Sequence, residues 1–95
     1  SLVKDLPSVV VKDGAASAIA HGASLLRPGI VSIAEGLVRG DVVQILTLKG
    51  ELVATGTMRI RSDIINEMEE GVIAKPNSVF LSAETYPKAW KKSTE

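Results

Sequence analysis

The chain consists of short β-branched runs separated by breaks that contain glycine or proline, a pattern that predicts many short strands. The clearest strand covers residues 42–48, and a tight turn at Lys49 and Gly50 leads into its hairpin partner over residues 51–58. The other apolar runs predict strands at residues 8–11, 72–75 and 78–81, and one strand that begins at residues 25–26, is interrupted and resumes at residues 30–33. Because Pro28 and Gly29 stand between two of these runs, we expect a kink in the chain there.

Two short helices are predicted between the strands. The first is an alanine-rich segment over residues 14–21, with Asp13 as its N-cap and Gly22 as the left-handed residue that ends it. The second covers residues 62–71, and the Ser-Asp pair that opens it supplies its N-cap. Its last turn is acidic and opposes the helix dipole, so we expect this helix to be exposed and marginal.

Many short strands at turn spacing with two short helices indicate a mixed α/β, mainly β fold, a small pseudobarrel in a single domain. The chain has 95 residues, 45% of them hydrophobic, which suits one domain with its core over residues 6–90. It has no cysteine, which excludes a disulfide framework and a cysteine-based zinc site. No apolar run approaches the roughly 20 residues of a membrane helix, so we expect no membrane partner.

The formal net charge is zero, which argues against a bulk electrostatic attraction to nucleic acid. The charges are unevenly placed, because three glutamates cluster within residues 67–70 while most of the cations precede them. We therefore expect a basic face and an acidic face. The three aromatic residues, Phe80, Tyr86 and Trp90, all lie near the C-terminal end, so a sheet that stacks bases on aromatic rings is not expected.

Several motifs follow one another in order from the first predicted strand to the clearest one. They are residues 6–13, His21-Gly22-Ala23, Pro28-Gly29-Ile30, Gly36 and Arg39-Gly40-Asp41. In this order and spacing they resemble a PUA domain, the RNA-binding module named after pseudouridine synthases and archaeosine transglycosylases. The resemblance implies a PUA-type pseudobarrel that binds RNA.

Two further stretches, residues 47–54 and 86–90, are similar to the C-terminal part of the dyskerin family, the H/ACA guide-RNA-dependent pseudouridine synthases. This resemblance implies that the domain anchors the ACA element and the adjacent stem of the guide RNA. It also implies two kinds of protein partner, the catalytic domain of the same protein and the other H/ACA ribonucleoprotein subunits.

The family's chemistry depends on an aspartate in a separate catalytic domain, for which 95 residues leave no room. The chain is then either the C-terminal part of a longer protein or a free-standing PUA protein, and we expect the first, of archaeal type, with no catalytic activity, metal or cofactor of its own. Its expected location is the cytoplasm, or the nucleolus in a eukaryote.

Two alternatives remain open: a PUA domain that binds tRNA, for instance at its 3′ CCA end, and a structural module that packs on a catalytic domain. An enzyme is disfavoured because no nucleophile–base pair or metal-ligand cluster can be assembled around the single histidine.

The predicted RNA surface lies around the kink and the end of the first helix. Its residues are His21, Gly22, Ala23, Leu26, Arg27, Pro28 and Gly29. Gly22 and the Pro-Gly kink expose backbone groups without bulky side chains, so a splayed base can be read by the main chain, with Ala23 and Leu26 against its face. The resemblance implies that this region holds the ACA trinucleotide. The local alternative is an ordinary helix cap followed by an ordinary turn.

Four cations are predicted to contact RNA phosphates: Lys12, Arg27, Lys49 and Arg59. Such contacts position an RNA without reading its sequence. Lys49 at the hairpin tip is the most exposed of them, and Arg27 beside the kink is the best placed. For each cation the alternative is an ordinary solvated charge. His21 either packs at the helix end or contacts the RNA.

Overall fold

The computed structural model describes residues 5–81. In chain order the elements are β1 (Ser8–Val11), α1 (Asp13–Ala20), β2 (Leu25–Leu26), β3 (Ile30–Ile33), β4 (Val42–Leu46), β5 (Leu52–Met58) and β6 (Val72–Val79). A 3-10 turn, Arg27–Gly29, separates β2 from β3, and a 3-10 helix, Ser62–Glu67, stands between β5 and β6.

The six strands form one sheet in the order β2-β6-β5-β4-β1-β3. β1 and β4 run parallel, and all other neighbouring strands run antiparallel. The strand predicted to be interrupted and to resume over residues 25–33 is instead two strands, β2 and β3, at opposite edges of the sheet. They are consecutive in the chain and are joined only by the three residues of the 3-10 turn. The sheet must therefore curl until its two edges approach each other. This closure confirms the predicted mainly β pseudobarrel with two short helices.

The 3-10 turn that joins the two edges is held against α1 and β6. Pro28 stands near the start of the turn, where a missing N–H costs little. The Lys12 N–H donates to the Gly29 carbonyl over 2.9 Å, and the Arg27 N–H donates to the Gly71 carbonyl over 2.9 Å. A Cβ on Gly29 would lie 2.5 Å from the Ala15 Cβ, so the turn passes α1 at a distance that only glycine permits.

Aliphatic side chains from all six strands and from α1 make up the core. The buried hydrophobic residues are Val9, Val11, Ala16, Ile19, Leu25, Ile30, Leu37, Val43, Ile45, Val53, Ala54, Met58, Ile65, Ile73 and Ala74. On β1 and β4 buried residues alternate with less buried ones, as expected for strands with one face on the core. Burying each larger aliphatic side chain contributes roughly 1.5–3 kcal/mol.

The structure corrects the predicted helix ends. α1 begins at Asp13 itself, and Lys12 occupies the N-cap position without a side-chain cap. The carboxylate of Asp13 is then inside the first turn, where it still complements the helix dipole. The second helix is a 3-10 helix that ends at Glu67 and has no side-chain cap hydrogen bond, rather than a helix that continues to residue 71. Only Ser62 and Ile65 of its residues are buried, so little packing supports a longer helix.

The predicted strands at residues 72–75 and 78–81 are one continuous strand, β6. The proline between them, Pro76, does not end the strand. It lies opposite Gly56 beside an irregularity in the β5–β6 register, where a residue without an N–H can be accommodated. The hairpin strands are also shorter than predicted, because the turn between β4 and β5 covers residues 47–51.

The aromatic residues Tyr86 and Trp90, which contribute to the dyskerin resemblance, lie outside the described residues. Within residues 5–81, no helix combines the length and the apolar character that crossing a membrane requires.

Candidate nucleic-acid interface

The end of α1 forms a compact cap that engages its backbone donors. Gly22 has a φ of 100°, a left-handed conformation that favours glycine, and its N–H donates to the Ile19 carbonyl over 2.9 Å. The Ala23 N–H donates to the Ala18 carbonyl over 2.9 Å. These two bonds are the pair that defines a Schellman cap. The prediction of Gly22 as the left-handed end of the helix is therefore confirmed.

The same cap leaves a row of backbone acceptors at the surface. Within the described part of the chain, the carbonyls of His21, Gly22 and Ala23 accept no hydrogen bond, and all three residues are exposed. Their N–H groups, in contrast, are all engaged in the helix end. The sequence predicted that both kinds of backbone group would be available at this site. The structure corrects this, because the three residues present acceptors and no free backbone donors.

The His21 side chain folds back onto the helix. Its Nδ1 lies 2.8 Å from the Ser17 carbonyl oxygen, which can only accept, so Nδ1 carries the proton of this bond. In a neutral ring with the proton on Nδ1, Nε2 carries no proton and can accept a hydrogen bond. The bond to Ser17 therefore positions the His21 ring at the helix end, next to the three carbonyls.

An apolar pair lies beside this row. Leu26 on β2 is paired with Val72 on β6, and 50% and 45% of the two residues are exposed. The two aliphatic side chains give a small exposed apolar surface at this edge of the sheet.

Arg27 and Gly29 are used by the fold. Arg27 Nε donates to the Ile65 carbonyl over 2.8 Å and ties the 3-10 turn to the 3-10 helix. Gly29 is partly buried against Ala15, and its carbonyl accepts the N–H of Lys12. Pro28 between them is exposed. The kink therefore presents less bare backbone than the helix end does, and a contact of these three residues with RNA stays a prediction.

The remaining predicted cations do not form a single surface. Lys12, Lys49 and Arg59 are all exposed. Lys49 lies in the turn before β5 and Arg59 directly follows the end of that strand. Seven residues of extended strand separate the two cations, a distance of about 20 Å. An RNA that contacts both must therefore extend along the length of β5.

The structure instead gathers a different set of cations around Arg59. A depression of about 440 Å³ is lined by Ser24, Arg39, Arg59, Val72 and Lys75, and we call it the basic pocket. Arg39 and Lys75 were not predicted as site residues. Their proximity depends on the pairing of β4, β5 and β6, which local patterns along the chain do not reveal. The basic pocket is consistent with the expected basic face.

A second depression, about 630 Å³ in volume, lies on the side of Arg27 between β3 and the 3-10 helix. Its lining combines Arg27 with the carboxylates of Glu35 and Asp63, so its charges are mixed. In the part of the chain that the structure describes, no group of three or more histidine, cysteine, aspartate or glutamate residues is placed to hold a metal ion.

Comparison with protein families and curated proteins shows a consistent set of relatives. Residues 7–80 match the family model described as PUA domain. The chain is 41% identical over 88 residues to "Probable tRNA pseudouridine synthase B" of Saccharolobus solfataricus, covering 93% of this chain and 35% of the relative. The protein of the same name from Pyrococcus furiosus is 43% identical over 90 residues, covering 95% of this chain and 26% of the relative. The chain thus spans about a quarter to a third of the length of these curated relatives.

Solved structures give the same result. A chain of the archaeal box H/ACA sRNP Nop10-Cbf5 complex superposes with a TM-score of 0.87 at 42% identity, covering 93% of this chain and 28% of that one. A chain of an H/ACA RNP bound to a substrate RNA containing 2′-deoxyuridine gives a TM-score of 0.87 at 43% identity, with the same coverage of 93% and 28%. A PUA domain protein from Thermoplasma acidophilum gives 0.73 at 28% identity, covering 76% of this chain and 48% of that one.

Proposed function

Since the chain belongs to the PUA domain family, whose model matches residues 7–80, we propose that it is an RNA-binding module that anchors the ACA element and adjacent stem of an H/ACA guide RNA to a pseudouridine synthase. The module contributes binding, and the catalytic aspartate belongs to another domain of the same protein. The chain covers 35% and 26% of two curated synthases, and we assign it to the C-terminal part of such a protein.

The row of free carbonyls at His21, Gly22 and Ala23 is the observation that carries this proposal. A carbonyl can only accept a hydrogen bond, so it selects bases that present an amino donor. Adenine has the N6 amino group and cytosine has the N4 amino group, whereas guanine and uracil present carbonyl oxygens at the corresponding positions and carry their own donors elsewhere on the base edge, at guanine N1 and N2 and uracil N3. We propose that the carbonyl row faces the N6 or N4 position of each base, where it favours adenine and cytosine, the composition of the ACA trinucleotide.

Phosphate and apolar contacts complete the proposed interface. Leu26 supports the face of a base, and Lys12, Arg27, Lys49 and Arg59 are the cations assigned to the RNA backbone. Because Lys49 lies about 20 Å from Arg59 along β5, it suits the adjacent stem better than the ACA element itself.

The comparisons support the partners of this proposal. Two of the solved relatives are chains of H/ACA ribonucleoproteins, one with Nop10 and one with a substrate RNA. We extend this to the present chain, and we assign it the catalytic domain of its own protein and the other H/ACA subunits as partners. A guide-RNA partner goes with a cytoplasmic location, or a nucleolar one in a eukaryote.

A second candidate is binding of the 3′ CCA end of a tRNA. Every base of CCA also carries an amino donor, so the same carbonyl row would accept it. The curated relatives are named as tRNA pseudouridine synthases, which favours considering this RNA.

The test is to exchange single amino groups in the RNA. Replacing the adenines of ACA by inosine puts a carbonyl oxygen where the amino group was, and we expect each replacement to weaken binding by roughly 5- to 150-fold, the discrimination of about 1–3 kcal/mol that a base contact gives. The matched control is 7-deazaadenosine, which keeps the amino group and should bind like adenosine. Affinities are measured by titration of a labelled hairpin with the 95-residue chain.

The outcomes separate the candidates. Tighter binding of ACA than of a CCA end supports the guide RNA, and the reverse order supports tRNA. Equal binding of adenosine and inosine RNAs would contradict recognition by the carbonyl row. Absence of RNA binding together with tight association with a synthase catalytic domain would favour a structural module.

A further inference from the structure

We propose that the basic pocket binds one backbone phosphate of the RNA strand whose bases are read at the end of α1. This rests on the proposed function and adds to it a site that contains two cations, Arg39 and Lys75, outside the predicted RNA surface. The pocket is lined by Ser24, Arg39, Arg59, Val72 and Lys75.

Backbone hydrogen bonds bring the two arginines together at one end of the sheet. The Gly40 N–H donates to the Met58 carbonyl over 2.8 Å, and the Met58 N–H donates to the Asp41 carbonyl over 2.8 Å. Arg39 and Arg59 flank these bonded residues on the two chain segments. These backbone bonds therefore hold Arg39, in the turn before β4, near Arg59 at the end of β5.

Strand pairing adds the other two polar residues. Lys75 on β6 pairs with Thr57 on β5, and the Arg59 N–H donates to the Ile73 carbonyl over 2.8 Å. On the opposite side of β6, Ala74 pairs with Leu25, the residue after Ser24. Four separate chain segments thus converge on the pocket.

The charge of the pocket is uncompensated. Three of its lining residues are cations and none is a carboxylate. Among residues 5–81 the salt bridge within 4.0 Å is the one between Arg61 and Asp63, so no carboxylate of that region pairs with Arg39, Arg59 or Lys75. Cations that share a pocket repel one another, and a phosphate removes this repulsion while it accepts charge-assisted hydrogen bonds. Arginine side chains in particular match the geometry of a phosphate.

The position of the pocket connects it with the base-reading surface. Ser24 directly follows Ala23, the last residue of the carbonyl row, and Val72 pairs with the exposed Leu26. A nucleotide whose base rests on Leu26 and faces the carbonyls therefore has its backbone next to the pocket. Phosphate binding here would fix the register of the strand without reading its sequence.

The experiment compares single charge-removing variants. Arg39→Gln and Lys75→Gln each remove one pocket cation, and Arg61→Gln is the matched control, since Arg61 is exposed and lies outside the pocket. Binding of the 95-residue chain to a single-stranded RNA with ACA, and to the same RNA with inosine for adenine, is measured from low to moderate salt. Unfolding curves confirm that all variants are folded.

We expect each pocket variant to bind both RNAs roughly tenfold more weakly at low salt, the effect of losing one contact to a charged group. The ratio of the two affinities should stay at the wild-type value, because a phosphate contact does not read bases. The slope of log K against log salt should become shallower by about 0.7 for one lost single-strand phosphate contact. Arg61→Gln should leave the affinities and the slope within about twofold of wild type.

Two results would overturn the inference. If Arg39→Gln and Lys75→Gln behave like Arg61→Gln while ACA is still preferred over its inosine form, the pocket does not hold RNA and the proposed function stands. If the pocket variants keep full RNA affinity and instead lose binding to a synthase catalytic domain, the pocket is a protein contact. A wild-type chain that binds both RNAs equally contradicts the proposed base recognition, and the pocket variants then still report on the phosphate site.

Discussion

The contact between the 3-10 turn and α1 predicts that Gly29→Ala destabilises the fold by overpacking. The added Cβ would stand 2.5 Å from the Ala15 Cβ, whereas carbon atoms in contact are about 3.5–4.0 Å apart. The turn and α1 must then separate by about 1 Å. The hydrogen bond from the Lys12 N–H to the Gly29 carbonyl, 2.9 Å long, opposes this movement. We expect the free energy of unfolding to fall by roughly 1–3 kcal/mol.

A second substitution identifies the cause. Ala15→Gly removes the opposing methyl group and by itself should cost about 1 kcal/mol of helix propensity. In the double variant the new methyl at position 29 meets the Leu25 Cδ1 at 3.7 Å and the Ala15 Cα at 3.8 Å, which are ordinary contacts. The double variant should therefore be about as stable as Ala15→Gly alone, which is a favourable coupling of roughly 1–3 kcal/mol.

The measurement is equilibrium unfolding in urea of the wild type, the two single variants and the double variant. Gly14→Ala is the matched control, because a Cβ at Gly14 meets nothing within 4 Å, and its stability should equal or exceed that of the wild type. Additive effects of the two substitutions would refute the steric argument. The double variant also tests the predicted site: undiminished RNA binding assigns Gly29 to the fold, and lost binding in a stable double variant assigns it to the interface.

Two further substitutions test buried hydroxyl groups. Ser62→Ala removes the buried Oγ that accepts the Leu37 N–H over 3.0 Å, and we expect it to lower the free energy of unfolding by roughly 1–3 kcal/mol. The control, Ser78→Ala at an exposed position, should change the free energy of unfolding little. Equal effects of the two substitutions would contradict the role of the bond. Thr47→Val removes the Oγ1 that accepts the N–H groups of Lys49 and Glu51 at 3.2 and 3.1 Å, and it should lower the free energy of unfolding by about 1–3 kcal/mol. Thr57→Val should lower it less, because the Thr57 hydroxyl bonds with Asn77 at the surface. An unchanged urea midpoint for Thr47→Val would refute the role of the buried hydroxyl.

Elements controlled by neighbouring residues could be predicted from the sequence. The β-branched runs became β1, β3, β4 and β5 with small changes at their ends, because strand propensity and the glycine and proline breaks between runs depend on neighbouring residues. The helix end at Gly22 was predicted for the same reason, since a left-handed cap requires a residue without a Cβ at that one position. The family resemblance rests on these same local motifs, and the match over residues 7–80 confirms it.

The predicted bounds of β6 and of the second helix were wrong, because strand pairing and core packing outweighed the local signals there. Pro76 indicated a break between two strands, but the pairing of β6 with β5 on both sides of it outweighs the single N–H that proline lacks. The Ser-Asp cap and the apolar residues after it indicated a helix to residue 71, but the chain forms a 3-10 helix that ends at Glu67, in which only Ser62 and Ile65 are buried.

The sequence by itself thus determined the strands, the cap of α1 and the family, all of which depend on residues close together in the chain. The tertiary structure decided which groups are exposed at the proposed interface. The Schellman cap engages the donors of Gly22 and Ala23 and leaves their carbonyls free, and the fold uses Arg27 to hold the 3-10 helix. The basic pocket joins Arg39, Arg59 and Lys75 through strand pairing between distant segments, and that pairing exists only once the sheet has closed.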